Sequence, residues 1–164
     1  MKTIYTKGWF RHQKRCLQEF SKEEALNLYN KKQPFSVIIT EKNDKPFCFI
    51  NFNNKFIYVG FLDEQNREYL GYAFWEYQDN RIFLKEAQYW EYDEETDKKL
   101  ASTRYRFTPE GEFGIENKNN ETREVVRRYA ENKIDVSVLW ENYPEFGKYD
   151  NMLKIEREIP ETLI

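Results

Sequence analysis

The sequence has few of the residues that build metal sites, disulfides and nucleophilic centres. It contains two cysteines, Cys16 and Cys48, which lie far apart, and a single histidine, His12. Zinc ligands occur at short, regular spacings, so no metal is expected. No G-x-S-x-G or glycine-rich phosphate loop occurs among the six glycines. The sequence therefore predicts a chain that is not an enzyme and needs no cofactor.

Carboxylates are the remaining source of catalytic chemistry. Aspartate and glutamate total 29, and several glutamates fall in predicted strands. Two of them could form the acid and base of a glycosidase-like pair. Such a pair needs one desolvated member with a raised pKa, whereas most glutamates in strands face solvent. An enzyme therefore stays the third alternative.

The chain also lacks a long apolar run and an excess of positive charge. No run approaches the ~20 residues of a membrane span, and residues 8–15, GWFRHQKR, stand where a secretory signal would be apolar. A cytoplasmic protein with reduced thiols is expected. The net charge of -3 makes nucleic acid an unlikely partner, although Arg104–Phe107 alternates arginines with rings that could stack on bases. The basic residues near the amino terminus form either an ordinary solvated segment or an arm that contacts a partner.

Aromatic residues are abundant, with 12 tyrosines, 13 phenylalanines and 4 tryptophans. Aromatic side chains suit half-buried strands and are also enriched at protein interfaces. The length of 164 residues fits one domain, 1–164. Composition alone does not separate the two uses of these rings.

One helix is predicted near 22–32. Ser21 can cap it, and Glu24 stands three residues on, as a capping box requires. Ala25, Leu28 and Tyr29 share one face, and Pro34 limits the helix.

After the helix, the apolar period changes to two and polar turns recur. Short strands joined by short turns indicate consecutive hairpins. We therefore predict an α+β fold, a curved antiparallel β-meander with one N-terminal helix packed on it. The predicted strands are 35–39, 47–52, 56–62, 67–77, 81–92, 100–107 and 112–116.

Both faces of segment 81–92 carry large side chains. Strict alternation puts Ile82, Leu84 and Trp90 on one face, and Phe83, Ala87 and Tyr89 on the other. The second face is expected to be covered by the helix or by the sheet curling over itself. An exposed aromatic face for a partner is the alternative.

The last third has weaker signals. Residues 123–131 fit a short helix or a twisted strand, and the spacing of the apolar residues favours the helix. Residues 134–140 are predicted as a strand, and 152–157 as one more short element before a frayed end.

Segment 140–150, WENYPEFGKYD, combines aromatic residues with acids. Tyrosine and tryptophan are efficient interface anchors, and surface acids can steer a basic partner. The alternative is that the rings hold this segment on the sheet as part of the core. The candidate partner-binding residues are Trp140, Glu141, Tyr143, Glu145, Phe146, Tyr149 and Asp150.

The same segment, following short Tyr/Trp-rich strands, resembles the small bacterial immunity proteins that accompany polymorphic toxins. The resemblance implies a cytosolic protein that binds one cognate toxin domain stoichiometrically and blocks it. It assigns no inhibitory residue, because those proteins share no single motif. A small-molecule carrier with an apolar pocket in a curled sheet is the alternative, and the oligomeric state stays open.

Overall fold

A computed structural model describes residues 1–157 of the chain. The described residues form thirteen strands and one α-helix, and two 3-10 turns, Ser137–Leu139 and Asp150–Met152, lie near the end. The strands are β1 Lys2–Thr6, β2 Trp9–Phe10, β3 Arg15–Cys16, β4 Glu19–Phe20, β5 Phe35–Thr40, β6 Pro46–Asn53, β7 Phe56–Leu62, β8 Glu68–Glu76, β9 Arg81–Tyr92, β10 Lys99–Phe107, β11 Phe113–Asn119, β12 Val125–Tyr129 and β13 Trp140–Asn142; the helix is α1 Lys22–Asn30. The predicted frayed end lies outside the described residues.

The sheet is an antiparallel meander, as predicted. Strands β5 to β12 follow one another in space in chain order, while β1 and then β4 extend the sheet beyond β5, and β13 pairs with β9. Turn residues with positive φ, such as Asn54, Asn66 and Asn80, reverse the chain between strands. Asparagine tolerates this conformation, so the hairpins are encoded locally.

The helix α1 begins with the predicted capping box. Ser21 Oγ accepts a hydrogen bond from the Glu24 amide at 3.1 Å, and the Glu24 carboxylate accepts one from the Ser21 amide at 2.7 Å. Ala25 is fully buried, and Leu28 and Tyr29 pack beside it on the core. The prediction of an N-terminal helix packed on the sheet is confirmed.

One face of the sheet carries the main apolar core, and we call it the core face. Strand registers place Val37, Ile50, Val59, Tyr72 and Ala87 in one row across β5 to β9, and each is fully buried. The helix and the carboxy-terminal segment cover this row. The Tyr72 hydroxyl donates to the Ile155 carbonyl at 2.5 Å, which ties that segment down.

The opposite face is covered over only part of its width. Trp9 on the β2–β3 hairpin stacks on Phe49, with ring centroids 6.4 Å apart, and Ile38 and Leu62 complete a second buried cluster. The prediction that α1 covers this face is wrong, because α1 packs on the core face and a hairpin covers part of the other. Arg11, His12, Lys14 and Arg15 belong to this hairpin, where Arg11 pairs with Glu68, whereas Lys2 lies on β1 and pairs with Asp44.

Three local predictions are also wrong. Residues 123–131 contain strand β12, the alternative to the favoured helix, because the exposed edge of β11 offers a backbone ladder that outweighs helical spacing. Residues 134–140 form a 3-10 turn leading into the short strand β13, not one long strand. In β9, Lys85 is an extra residue opposite the step from Ala73 to Phe74, a β-bulge that changes the alternation of faces.

The bulge redistributes the side chains of β9. Ile82, Leu84, Ala87 and Tyr89 all pack against the core cluster, whereas Trp90 joins the opposite face. The predicted grouping of Trp90 with Ile82 and Leu84 is therefore wrong. A strict period of two fails wherever one strand has an extra residue.

Candidate protein-binding surface

The aromatic rings of segment 140–150 lie against the protein. Phe146 stacks on Tyr5, with centroids 5.1 Å apart and planes 11° apart, and lies 5.6 Å from Tyr29. Tyr149 is 4% exposed, and burial raises the pKa of its hydroxyl. Tyr143 packs beside Tyr29, and burial raises its pKa to about 12. Tyr143, Phe146 and Tyr149 thus meet on the core side, next to α1.

The acids of the segment are dispersed. Glu141 pairs with Lys154 at 2.9 Å and with Arg157 at 2.8 Å. Glu145 pairs with Lys148 at 2.6 Å, and both side chains are largely exposed. Asp150 is exposed at the start of a 3-10 turn. Most of the predicted binding residues therefore hold the segment in place or lie at separate positions.

Trp140 lies apart from the other rings of the segment, packed against Tyr77 and the buried Phe83, at one end of an aromatic row that continues to the opposite face. The strand registers align Phe56, Trp75, Phe83 and Trp140 across β7, β8, β9 and β13. Ring centroids are 4.7 Å apart for Phe56 and Trp75, and 4.9 Å apart for Phe83 and Trp140. Trp75 is 40% exposed, whereas Phe83 beside it is fully buried.

An arginine ladder lies on the same face, farther along the sheet. Arg104 of β10 stands between Gln88 of β9 and Glu116 of β11, and Arg127 of β12 follows Glu116. Arg127 donates to Glu116 at 2.6 Å, and this bond holds the pKa of Glu116 below its usual value. Two residues farther along β10, on the same face, Arg106 stands opposite Glu86.

The ladder contains more guanidinium groups than carboxylates. Arg104 donates to Gln88 at 3.2 Å, while its Nε lies 3.3 Å from Glu86 without hydrogen-bond geometry. Arg106 also reaches Glu86, at 3.4 Å. Two carboxylates, Glu86 and Glu116, therefore pair with three arginines, and some guanidinium N–H groups can still donate to other acceptors.

We call the uncovered part of this sheet face the open face. It includes Trp75, the exposed ring of the aromatic row, and the arginine ladder. Its cations outnumber its acids although the whole chain carries -3. The cations are Arg81, Lys85, Arg104, Arg106, Lys118 and Arg127, against Glu86, Glu112 and Glu116.

An open groove of about 410 Å³ runs along the ladder. Arg104, Arg106 and Arg127 line it together with Phe113 and Tyr129. Tyr129 is 74% exposed, so its ring is available for contact. The groove can take a carboxylate between guanidiniums and an apolar group against the rings.

Glu68 is the only carboxylate buried among residues 1–157, and both of its oxygens accept hydrogen bonds. It accepts hydrogen bonds from Arg11 and from the Tyr58 hydroxyl, beneath the β2–β3 hairpin. Burial and the neighbouring Glu68 charge raise the pKa of Tyr58. This cluster fixes the hairpin on the sheet.

Further chemistry is limited in the described part of the chain. No three histidine, cysteine or acidic side chains within residues 1–157 are placed to hold a metal ion. Cys48 is buried and Cys16 half-buried, both as free thiols, and burial raises the pKa of each. No helix in the same residues combines the length and apolar character needed to cross a membrane.

The fold and the surface together describe an α+β protein with an eleven-stranded antiparallel sheet, one face of which is partly uncovered. No family model, curated protein or solved structure matches the chain.

Sequence reasoning missed the open face, although part of its signal was visible. The alternation Arg104-Tyr-Arg106 within a strand indicates two arginines on one face. The alignment of Trp75 with Trp140 depends on strand β13, which pairs with β9 across more than fifty residues of chain.

Proposed function

We propose that the chain is a stoichiometric protein-binding protein that neutralises a cognate bacterial toxin domain. The observation that carries the proposal is the open face, where exposed tryptophan, tyrosine and arginine side chains share one surface. These three residue types dominate the binding energy of protein interfaces. Segment 140–150 supports the toxin class through its resemblance to immunity proteins.

The charge of the open face favours an acidic partner surface. Guanidinium groups in a shared ladder can form bidentate bonds with carboxylates of a partner. The net charge of -3 disfavours nucleic acid, whose entire backbone is negatively charged. The groove is open to solvent and lined by three arginines, whereas a small-molecule carrier would enclose its ligand in an apolar pocket.

Affinity capture from the native host tests the proposal. The tagged chain is expected to recover one protein at equal stoichiometry, before and after nuclease treatment. Arg106→Glu should abolish this recovery, because Arg106 is 59% exposed and faces the groove. Arg15→Glu is the matched control, since Arg15 is an exposed arginine on β3, away from the groove.

A growth assay tests the toxin class itself. Expression of the recovered partner alone should arrest growth, and co-expression of the native chain should restore it, whereas the Arg106→Glu variant should not. Recovery of nucleic acid alone, or of no partner, would refute protein binding. A harmless partner would retain protein binding and refute toxin neutralisation.

A further inference from the structure

Strand β12 leaves one edge of the large sheet open. It is the terminal strand of the sheet, and all five of its residues are exposed. Val125 is 41% exposed, Val126 44% and Tyr129 74%. Exposed edge strands of β-branched and aromatic residues readily pair with another strand.

The hydrogen-bond pattern shows which backbone groups face outward. The Asn119 amide donates to the Glu124 carbonyl, and the Ala130 amide donates to the Phe113 carbonyl. Because bonded pairs alternate along an antiparallel ladder, the even-numbered residues of β12 bond to β11. The amides and carbonyls of Val125, Arg127 and Tyr129 therefore point away from the sheet.

We infer that a second copy of this chain pairs its β12 with this edge, antiparallel and about a two-fold axis at Val126. Val126 then stands opposite its own copy, and Val125 stands opposite Arg127 of the second chain. Glu124 and Arg128 of each chain stand opposite one another. Within residues 1–157 neither Glu124 nor Arg128 forms an ion pair, and this register gives each an opposite charge.

The alternative two-fold registers are less favourable. Only residues with outward-facing groups can form bonded pairs, so the axis must pass through a residue. An axis at Arg127 or Arg128 would put that arginine directly opposite its own copy, and like charges at this position destabilise pairing. An axis at Val125 would pair little of the strand.

Pairing of this kind joins two sheets edge to edge. Opposite residues of an antiparallel ladder share a face, so the open faces of both copies lie on the same side. The contact consists mainly of one strand on each side, smaller than a standard interface, so it associates in a concentration-dependent manner. Glu124 and Arg128 lie on the face opposite the arginine ladder, so this inference does not rest on the proposed partner.

Charge reversal tests the register. Sedimentation equilibrium over a concentration series should show a monomer–dimer equilibrium for the native chain. Glu124→Arg alone and Arg128→Glu alone should each raise the dimer dissociation constant by roughly tenfold, because each creates like-charged pairs. An equimolar mixture of the two variants should form a heterodimer of near-native affinity, because every cross-strand pair is again opposite in charge.

A backbone variant tests the edge independently of charge. Val125→Pro removes an outward amide without breaking a bond to β11 and should abolish the dimer, whereas Val125→Ala should retain it. Circular dichroism verifies that each variant is folded. A native chain that stays monomeric at the highest soluble concentration overturns the inference, and so do single charge reversals that leave the dissociation constant unchanged.

Discussion

Removal of the Phe146 ring tests whether segment 140–150 belongs to the core. The ring is half-buried, stacks on Tyr5 and lies within 6.4 Å of the Phe35 ring. Truncation of a fully buried phenylalanine costs about 3–5 kcal/mol. Because part of this ring already faces solvent, we expect Phe146→Ala to lower the free energy of unfolding by about 2–3 kcal/mol.

The expected loss is large enough for routine measurement. For a chain of this length it corresponds to a decrease in Tm of roughly 4–12 °C. Urea titration at neutral pH gives the free energy directly. Glu145→Ala is the matched control, because that neighbouring side chain is largely exposed, and its Tm should stay close to that of the native chain.

A double-mutant cycle measures how much of this free energy comes from the contact between Tyr5 and Phe146. Tyr5→Leu combined with Phe146→Ala should give a coupling energy of about 0.5–1.5 kcal/mol, as expected for a stacked aromatic pair. A Tm for Phe146→Ala within the error of the native value would refute the packing argument. The ring would then be free to contact a partner, as the sequence first suggested.

Two further predictions concern buried and turn carboxylates. Glu68→Ala leaves the Tyr58 hydroxyl and Arg11 without their shared acceptor, so it should lower the free energy of unfolding by about 2–4 kcal/mol in urea titration. Glu68→Gln still offers an acceptor and should lower it less. Equal losses for the two variants would contradict this role of Glu68. Burial opposes ionisation of Asp63, but hydrogen bonds from Arg67 and Gln65 hold its pKa below the ordinary value of 3.8. Because the folded-state pKa is depressed, this stabilisation is present above pH 3.8 and is lost as the pH falls through the folded value. The difference in unfolding free energy between the native chain and Asp63→Asn should therefore be largest at neutral pH and shrink in acid, and a difference independent of pH would be incompatible with it.

The middle of the chain was predictable because its signals are local. A capping box starts α1, and asparagines with positive φ reverse the chain between strands. The predicted strand 56–62 coincides with β7, and 81–92 coincides with β9. Each hairpin places a strand beside its neighbour in sequence, so alternation and turn chemistry suffice.

The ends of the chain were less predictable because their partners are distant. Strand β1 pairs with β5 across more than thirty residues, and β2, β3 and β4 have two residues each, too few to show a period. Val125 and Tyr129 have helical spacing, yet they belong to β12, whose ladder with β11 determines the backbone. Tertiary pairing overrides local preference in such segments.

The alignment of Trp140 with Trp75 depends on one extra residue that composition does not reveal. Without the bulge at Lys85, strict alternation would place Phe83 on the face opposite Glu86, whereas Trp75 shares the face of Ala73 and Glu86 through the alternation of β8 itself. The bulge puts Phe83, and Trp140 opposite it, in register with Trp75, and Phe83 remains buried in the core cluster together with Ile82 and Leu84. The arrangement of these rings is therefore set by strand register between distant segments, which explains why abundant aromatic residues alone could not locate it.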